Sequence, residues 1–438
     1  MGVVKLESIC DFKKGDTGLA KAEPGDYPLV TTGAERKTCH SYQFDTKAVC
    51  IPLVSSTGHG HASLKNVHYQ EGRFALGTIL VALTSKDENL LNIQFLHLYL
   101  FQLKDQVLVP LMSGAANVTL SIKKIKNIEI PLPSIERQGE IVESFKSIAV
   151  EEGDLKSELT HHQTLLKKLR QQILQEAIEG KLTVDWREQN PDIEPAGKLL
   201  ARIKAEKDQL IKEKKIKKQK PLPPISEEEK PFELPEGWVW TRIGEITTIV
   251  TSGSRNWKSL YAETGASFIR SQDIKQDRLS YGNRVYVNVR KKEEGTRTFV
   301  NKHDWLMIIT GANVGKCAYL HDDPGEAYVS QHVGLMRPTR KEIGKFGHLW
   351  LIAELGGRGL LYSFIYGDKP GLNLQQLRSL PIPIPSVKEQ KAIVTKVEKL
   401  LAICDQLETR ITSNQTHAEQ LMQTVLQEAF SQTMEPPK

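Results

Sequence analysis

The 438 residues carry 59 Lys+Arg against 53 Asp+Glu, a formal net charge of +6, with ordinary apolar (39%) and charged (26%) fractions. A chain of this length holds two or three domains with cores of their own, in a soluble globular protein. No apolar run reaches membrane-spanning length, and the five scattered cysteines, without a Cys-x-x-Cys pair, read as reduced thiols of a cytoplasmic protein.

At the start, "MGVVKLESICDF" lacks a basic region followed by an apolar stretch, so no secretion signal is expected. Leu6 stands where a myristoylation signal needs Ser or Thr. Short β-rich runs follow, among them "AVCIPLV" and "RFALGTILVAL", separated by Gly, Asn, Asp and Ser clusters. They end in "IPLP", where alternating prolines hold the chain extended and exclude helix. The stretch "PLPSIERQGEIV" (131–142) then opens a helix with a heptad pattern. Its seam holds Ile141, Phe145, Ile148, Leu155, Leu159, Leu166, Leu169 and Ile173, with Glu152 and His162 at two further seam positions. Gly153 costs about 1 kcal/mol against Ala inside a helix and is a candidate bend.

Beyond it, "KAEKDQLIKEKKIKKQK" (204–220) concentrates basic charge, either as a solvated helix or linker or as a strip for phosphates. The stretch "KQKPLPPISEEEKPFELPEGW" has the proline-rich, charge-rich composition of a linker. A second set of β-rich runs follows, including "RVYVNV" and "DWLMIIT", and ends in "IPIP". Then "PIPSVKEQKAIV" (383–394) opens a second heptad helix. Its seam holds Ile393, Val397, Leu400, Cys404, Leu407, Ile411, Ala418, Leu421 and Val425, with Asn414 at one position.

The two helices are one pattern used twice. At a fixed offset of 252 (383 − 131) they align without a gap, so that "ILQEAI" (173–178) falls on "VLQEAF" (425–430). His162 and Asn414 share a position, where they either pair across helices and fix register or merely lie near a seam edge. Upstream, "VKLESI" at Val4 aligns more loosely with "TRIGEI" at Thr241. Two similar globular units with two long helices imply pseudo-two-fold symmetry. If the helices run antiparallel, the units sit at opposite ends of a rod, a geometry suited to a target with two separated half-sites.

The doubled "LPSIERQGEIV/IPSVKEQKAIV" entrance, the helix end "LRQQILQEAIEGKLT" and the opening "LPEGWVWTRIGEI" of the second unit resemble the specificity subunits of Type I restriction–modification systems. The resemblance covers essentially the whole chain. The first unit departs from it by opening at Gly2-Val3 without "PEGW". The resemblance implies an α+β fold: two β-rich target-recognition domains joined by a pair of long antiparallel coiled-coil helices, a pseudo-two-fold internal repeat. The expected boundaries are 1–133 for the first recognition domain, 134–182 for the central helix, 183–236 for the linker, 237–385 for the second domain and 386–432 for the distal helix. It further implies a DNA-recognition subunit reading a bipartite asymmetric site, one domain per half-site. The helices set the spacer and dock two methyltransferase (M) subunits. Restriction (R) subunits join through the complex, and no cofactor and no membrane are involved. The alternative is a coiled-coil protein-interaction scaffold without DNA specificity.

Motifs for catalysis are weak. "GANVGKC" has three residues between its glycines where a phosphate-binding loop has four, and Cys317 replaces the magnesium-binding Ser or Thr. In "STGHGHAS", His59 and His61, with His68 nearby, lack the Asp, Glu or Cys that would complete a zinc site. No "NPPY"-type tetrapeptide for a flipped adenine is present, and Asp192 and Glu194 lie in a proline-flanked turn. A non-catalytic subunit without metal is expected, with methylation and cleavage carried by partner subunits.

Base reading needs forked side chains, Arg toward guanine and Asn or Gln toward adenine, while Lys, Ser, Thr and backbone amides grip phosphates. The candidates in the first unit are Lys13, Lys14, Thr31, Thr32, Arg36, Lys37, Ser55, His59 and His61. In the second they are Arg255, Asn256, Lys258, Arg270, Ser271, Gln272, Gln331, His332, Lys369 and Asn373. All lie in polar or Gly-rich stretches between strands, where recognition surfaces are placed. Trp257 is expected in the core.

Overall fold

The computed structural model describes residues 2–20, 22–57, 60–115, 117–280, 282–289, 297–365 and 371–431. Two compact units divide the chain, one of 1–161 with 411–438 and the other of 162–410.

The strands of the first unit are β1 (Gly2–Lys5), β2 (Cys10–Lys14), β3 (Tyr27–Val30), β4 (Lys37–Cys39), β5 (Phe44–Asp45), β6 (Ala48–Pro52), β7 (His68–Gln70), β8 (Arg73–Leu76), β9 (Leu80–Ser85) and β10 (Glu129–Leu132). They form one sheet of order β2-β9-β6-β7, another of order β4-β3-β8-β5, and the isolated pair β1-β10. Strand β6 reads as a continuous apolar run because it is covered on both faces. One cover is the helix Ile93–Gln102, capped by the Asn92 side chain, whose Phe95, Leu96 and Leu100 join Val49, Ile51, Val81 and Leu83 in the core.

The second unit repeats this plan. Its strands are β11 (Val239–Arg242), β12 (Thr247–Ser252), β13 (Tyr261–Ala262), β14 (Ala266–Ile269), β15 (Ile274–Lys275), β16 (Arg278–Leu279), β17 (Val285–Val287), β18 (Trp305–Ile308), β19 (Cys317–Tyr319), β20 (Ala327–Val329), β21 (Val333–Pro338) and β22 (Pro381–Ile384). The sheets run β12-β21-β18-β19 and β13-β17-β14-β20, with a separate pair β11-β22. In both units the third element is a parallel pairing inside an otherwise antiparallel arrangement: β3 with β8, and β14 with β20. Val3 faces Pro131 across the first closing pair, and Trp240 faces Pro383 across the second. The first strand of the first unit is therefore present without "PEGW".

Each closing pair feeds a long helix, Ile135–Ile178 (44 residues) and Val387–Ser431 (45 residues). Gly153 lies inside continuous helix. Within the second unit the two helices pack antiparallel. Arg170 bonds Asp405 and Glu408 at 2.7 and 2.8 Å, whereas Arg187, beyond the end of the first helix, reaches back to Glu389 near the start of the second. The buried stripe is narrower than the heptad pattern implies. Leu159, Leu166 and Ile173 are buried on the first helix with Ile141, as are Ile393, Val397 and Cys404 on the second. Phe145, Ile148, Leu400 and Ile411 are half-buried, and Leu155, Leu169, Leu407 and Leu421 are exposed, as are His162 and Asn414. Val425 lies in the helix, outside the residues whose side chains are described. Two helices can cover only one flank of each other, so the second apolar row of each heptad faces outward.

The stretch expected as a linker is built into the second unit. It contains the helix Ala196–Lys212, whose Leu199 and Ile203 are buried. It then runs as a strap held by the buried Arg242. That guanidinium donates to the carbonyls of Pro223 and Pro224 at 2.7 Å each, and to both carboxylate oxygens of Glu229 at 2.9 and 2.8 Å. Phe232 packs on Trp240 and Trp350, and the Trp238 indole donates to Glu389. Proline and charge mark this stretch as irregular backbone; they do not mark it as loose. Substituting Arg242→Ala leaves the carbonyls of Pro223, Pro224 and Ser379 and the Glu229 carboxylate without this donor. It should cost about 3 kcal/mol of stability in denaturant unfolding and open residues 212–224 to trypsin.

Candidate nucleic-acid interface

The candidate stretches converge at one end of each domain, through equivalent backbone bonds. In the first domain, Gly77 donates to Val30, Thr17 donates to Leu76, Thr78 donates to Thr17, Leu53 donates to Ile79, and Leu120 donates to Leu53. In the second, Ser330 donates to Ile269, Gly253 donates to Ser330, Ile309 donates to His332, and Leu372 donates to Ile309. The ends of β2, β3, β6 and β8 thus meet as do those of β12, β14, β18 and β20. A glycine makes the closest approach in both. A Cβ on Gly15 would lie 2.2 Å from the Gly77 carbonyl oxygen, and one on Gly253 would lie 2.0 Å from that of Val329. Neither site admits a side chain.

In the first domain Lys13 and Lys14 are exposed on the sheet-edge strand β2, Lys13 with its ammonium 5.3 Å from the Phe44 ring centroid. Lys37 is exposed on β4. Thr31 is buried, its hydroxyl accepting from the Gly33 amide, and the carbonyl of half-buried Thr32 accepts from Asn66. Ser55 is tied into a polar hairpin with Thr57, Ser63 and the carbonyl of exposed His61. His59 lies outside the described residues. Arg36 turns back onto β7, donating to Gln70, to the Tyr69 carbonyl and to the Ala34 carbonyl, with His68 Nδ1 at 3.2 Å. Burial and the adjacent Arg36 charge hold His68 down at about 4, so it is neutral at pH 7.

In the second domain Arg255, Asn256 and Lys258 are exposed on the loop after Gly253, and Asn256 takes a left-handed φ of 71°. Asn tolerates that conformation better than most residues. Trp257, between them, is buried against Phe268 and Tyr328, as expected from the sequence. The turn 330–332 is polar and constrained. His332 Nδ1 meets the Thr310 hydroxyl, and His332 Nε2 lies 2.9 Å from the Gln331 amide nitrogen. The Ser330 hydroxyl and the Gln331 amide oxygen are buried without a partner among the described residues, two polar atoms that a ligand can satisfy.

Two expected base readers are otherwise engaged. Arg270 forms a fork on Asp273, at 3.0 and 2.8 Å, which raises its pKa, and donates to the Asn283 carbonyl. It braces the turn Ser271–Asp273, on which Ser271 is half-buried and Gln272 exposed. Asn373 caps the helix Leu374–Ser379, its side chain accepting from the Gln376 amide at 2.8 Å. Lys369 lies outside the described residues. The convergence also adds residues that the sequence reading passed over: Thr17 and Thr78 in the first domain, and Thr310, Ser330 and Arg297, which donates to Ser254 at 2.6 Å, in the second. Thr310 falls opposite Val54, the neighbour of Ser55, and Ser330 adjoins Gln331, so adjacency to the candidate stretches was the available signal.

The sequence matches the family model "Type I restriction modification DNA specificity domain" over residues 1–161 and 235–415. The chain belongs to this family. Each matched segment contains one β-rich domain and the start of its helix. Among curated relatives, the EcoEI specificity subunit of Escherichia coli is 33% identical over 271 residues, 56% of this chain and 42% of that protein. The EcoAI specificity subunit of Escherichia coli is 33% identical over 260 residues, 57% of this chain and again 42% of the relative. These alignments thus span less than half of each relative. The EcoDI specificity subunit of Escherichia coli aligns over 98% of this chain and 87% of its own length, at 24% identity. Among solved structures, the HsdS subunit from Thermoanaerobacter tengcongensis has a TM-score of 0.55 at 16% identity, covering 98% of this chain and 96% of that one. A chain from a type I restriction–modification assembly gives a TM-score of 0.63, also at 16% identity, over 98% and 97%. Both establish the shared fold.

Alanine at Arg255, Gln331 or His332 is expected to weaken discrimination at one half of a bound DNA site by about 1–3 kcal/mol and to leave the other half untouched. Binding of duplex libraries randomised in each half checks this. Arg270→Ala should instead destabilise the domain.

Proposed function

We propose that the chain is the DNA-recognition subunit of a Type I restriction–modification complex. Each β-rich domain, within 1–133 and 237–385, reads one half of a bipartite asymmetric site. The subunit itself performs neither methylation nor cleavage; two methyltransferase subunits supply the first, and restriction subunits join through the complex. The observation that carries this reading is the repeat of the polar, glycine-turned end in two domains of the same topology, each continuous with one helix of an antiparallel pair. An enzyme would need one converging set of reactive groups. Here the conserved plan is the scaffold, and the side chains on the rim differ between halves, as an asymmetric site requires.

The outward apolar row supports the docking role. Leu155, Leu165, Leu169, Ile403, Leu407 and Leu421 are each between 38% and 65% exposed. Leucines repeated along a helix face and left in water fit helices of a partner. The buried and exposed rows therefore predict different outcomes. Leu166→Asp places a charge in the buried stripe and should cost at least about 2–5 kcal/mol of folding free energy. Leu421→Asp should leave thermal unfolding unchanged while weakening assembly with the methyltransferase, measured by co-purification and sedimentation.

The reading is tested by expressing the chain with its methyltransferase partner and sequencing the methylated positions of host DNA. One asymmetric bipartite motif is expected, and none from the partner-free chain. The first helix is about 66 Å long at 1.5 Å per residue. Four residues inserted at facing levels of both helices add about 6 Å, one to two base-pair steps of about 3.4 Å. The spacer should lengthen by that amount with both half-sites intact.

A further inference from the structure

The doubled helix entrance contains a polar residue that neither DNA contact nor helix pairing accounts for. Gln138 and Gln390 stand at the same place in "SIERQ" and "SVKEQ", and both are buried, at 0% and 1% exposure. Gln is seldom fully buried unless its amide is used.

Gln138 uses all of it. Its amide nitrogen donates to the carbonyl of Pro133 and to that of Leu90, both at 2.9 Å, and its oxygen accepts from the Asn92 amide at 2.8 Å. Pro133 belongs to the strand exit that launches the long helix; Leu90 and Asn92 belong to the turn that launches the helix Ile93–Gln102 in the domain core. One side chain therefore ties the long helix to the body of its domain. Gln390 repeats the bond to the residue five positions back, donating to the Pro385 carbonyl at 2.9 Å, but its buried oxygen has no partner among the described residues. Its neighbour Glu389 adds three bonds of another kind. It accepts from Thr183 and Arg187, which follow the first long helix, and from the Trp238 indole on the strap. Arg137 occupies the matching position in the first unit and pairs with Glu140 at the surface.

We infer that Gln138 and Gln390 are positioning residues that fix the angle at which each recognition domain is joined to its long helix, and thereby the DNA spacer length that the subunit accepts. This rests on the DNA-recognition reading above. The lever is long. A tilt of about 3° at a joint displaces the far end of a helix of about 66 Å by about 3.5 Å, one base-pair step. A joint held by three buried hydrogen bonds resists that tilt, because pivoting the helix leaves donors and acceptors unpaired away from water. The first joint, with its amide fully used, is the stiffer of the two glutamine clamps.

The test uses the full chain reconstituted with its methyltransferase subunits. The substrate is a plasmid library in which the two half-sites are separated by spacers of varied length. Gln138→Met keeps the side chain's length and removes all three hydrogen bonds. It should lower discrimination against spacers one base pair too long or too short by about tenfold, with both half-site sequences unchanged. Gln390→Met should relax the spacer less, since it removes one hydrogen bond. Unfolding is followed for both, because a stabilising role alone lowers the melting temperature without moving spacer preference. Folded Gln138→Met with wild-type spacer discrimination overturns the inference, as does a change in half-site sequence. Should Gln138→Met not fold, Gln390→Met decides alone, and an unchanged spacer preference there overturns the inference. Failure of the wild-type complex to methylate any bipartite site removes the DNA-recognition reading itself, a result distinct from an unaltered spacer.

Discussion

A strand that can be hydrogen-bonded along one edge only closes each domain. In β10 and β22 proline removes N–H groups from the ladder, so the strand pairs with a single partner and the sheet cannot grow past it. The partner is the domain's own first strand, and the chain thus returns to where the domain began. Proline also forbids helix until Ser134 and Ser386, whose hydroxyls accept from the amides of Arg137 and Glu389 and cap the helices. The closing of a domain and the launching of its helix are one event. The likeness of the two halves follows from performing it twice.

What is not repeated is equally instructive. The second joint is reinforced by the strap, held by Arg242 and Trp238, and by Glu389 at the meeting of several segments. The first joint has one buried amide beside the packing of Ile141 and Val142 into the domain core. The polar loop ends of the two domains differ in the same sense. The backbone bonds that gather the loops are matched, while the side chains beside them differ: Lys13, Lys14 and Thr17 in one domain, Arg255, Gln331 and His332 in the other. A scaffold that conserves backbone geometry and varies the rim is suited to altering specificity without refolding.

The candidate site was partly legible. Gly, Ser and charge interrupt apolar alternation around Lys13, Ser55, Arg255 and Gln331, and these stretches lie at or beside strand ends, where a binding role is proposed for them. Arg36, Arg270 and Asn373 show the limit of that reading. Each has the right chemistry for a base edge, yet each is consumed by the protein: Arg36 by β7, Arg270 by Asp273, and Asn373 by a helix cap. Nothing local in the sequence distinguishes an arginine facing outward from one that braces its own turn. The same holds for the linker, whose composition is that of a flexible tether although Arg242, 19 and 18 residues downstream of Pro223 and Pro224, gathers their carbonyls.

The sequence by itself determined the periodicities: alternating strands, prolines that exclude helix, capped helix entrances, heptads, and the offset that makes one half a copy of the other. These depend on neighbours within a few residues, or on comparing the chain with itself. Tertiary structure alone decided which row of each heptad is buried, which polar side chains are spent internally, and why a glutamine recurs at each entrance. Those outcomes depend on partners brought together from far along the chain: Asp405 for Arg170, Leu90 for Gln138, and Pro223 for Arg242. A hydrogen bond or a buried contact is a property of the pair, and the pair exists only once the chain has folded.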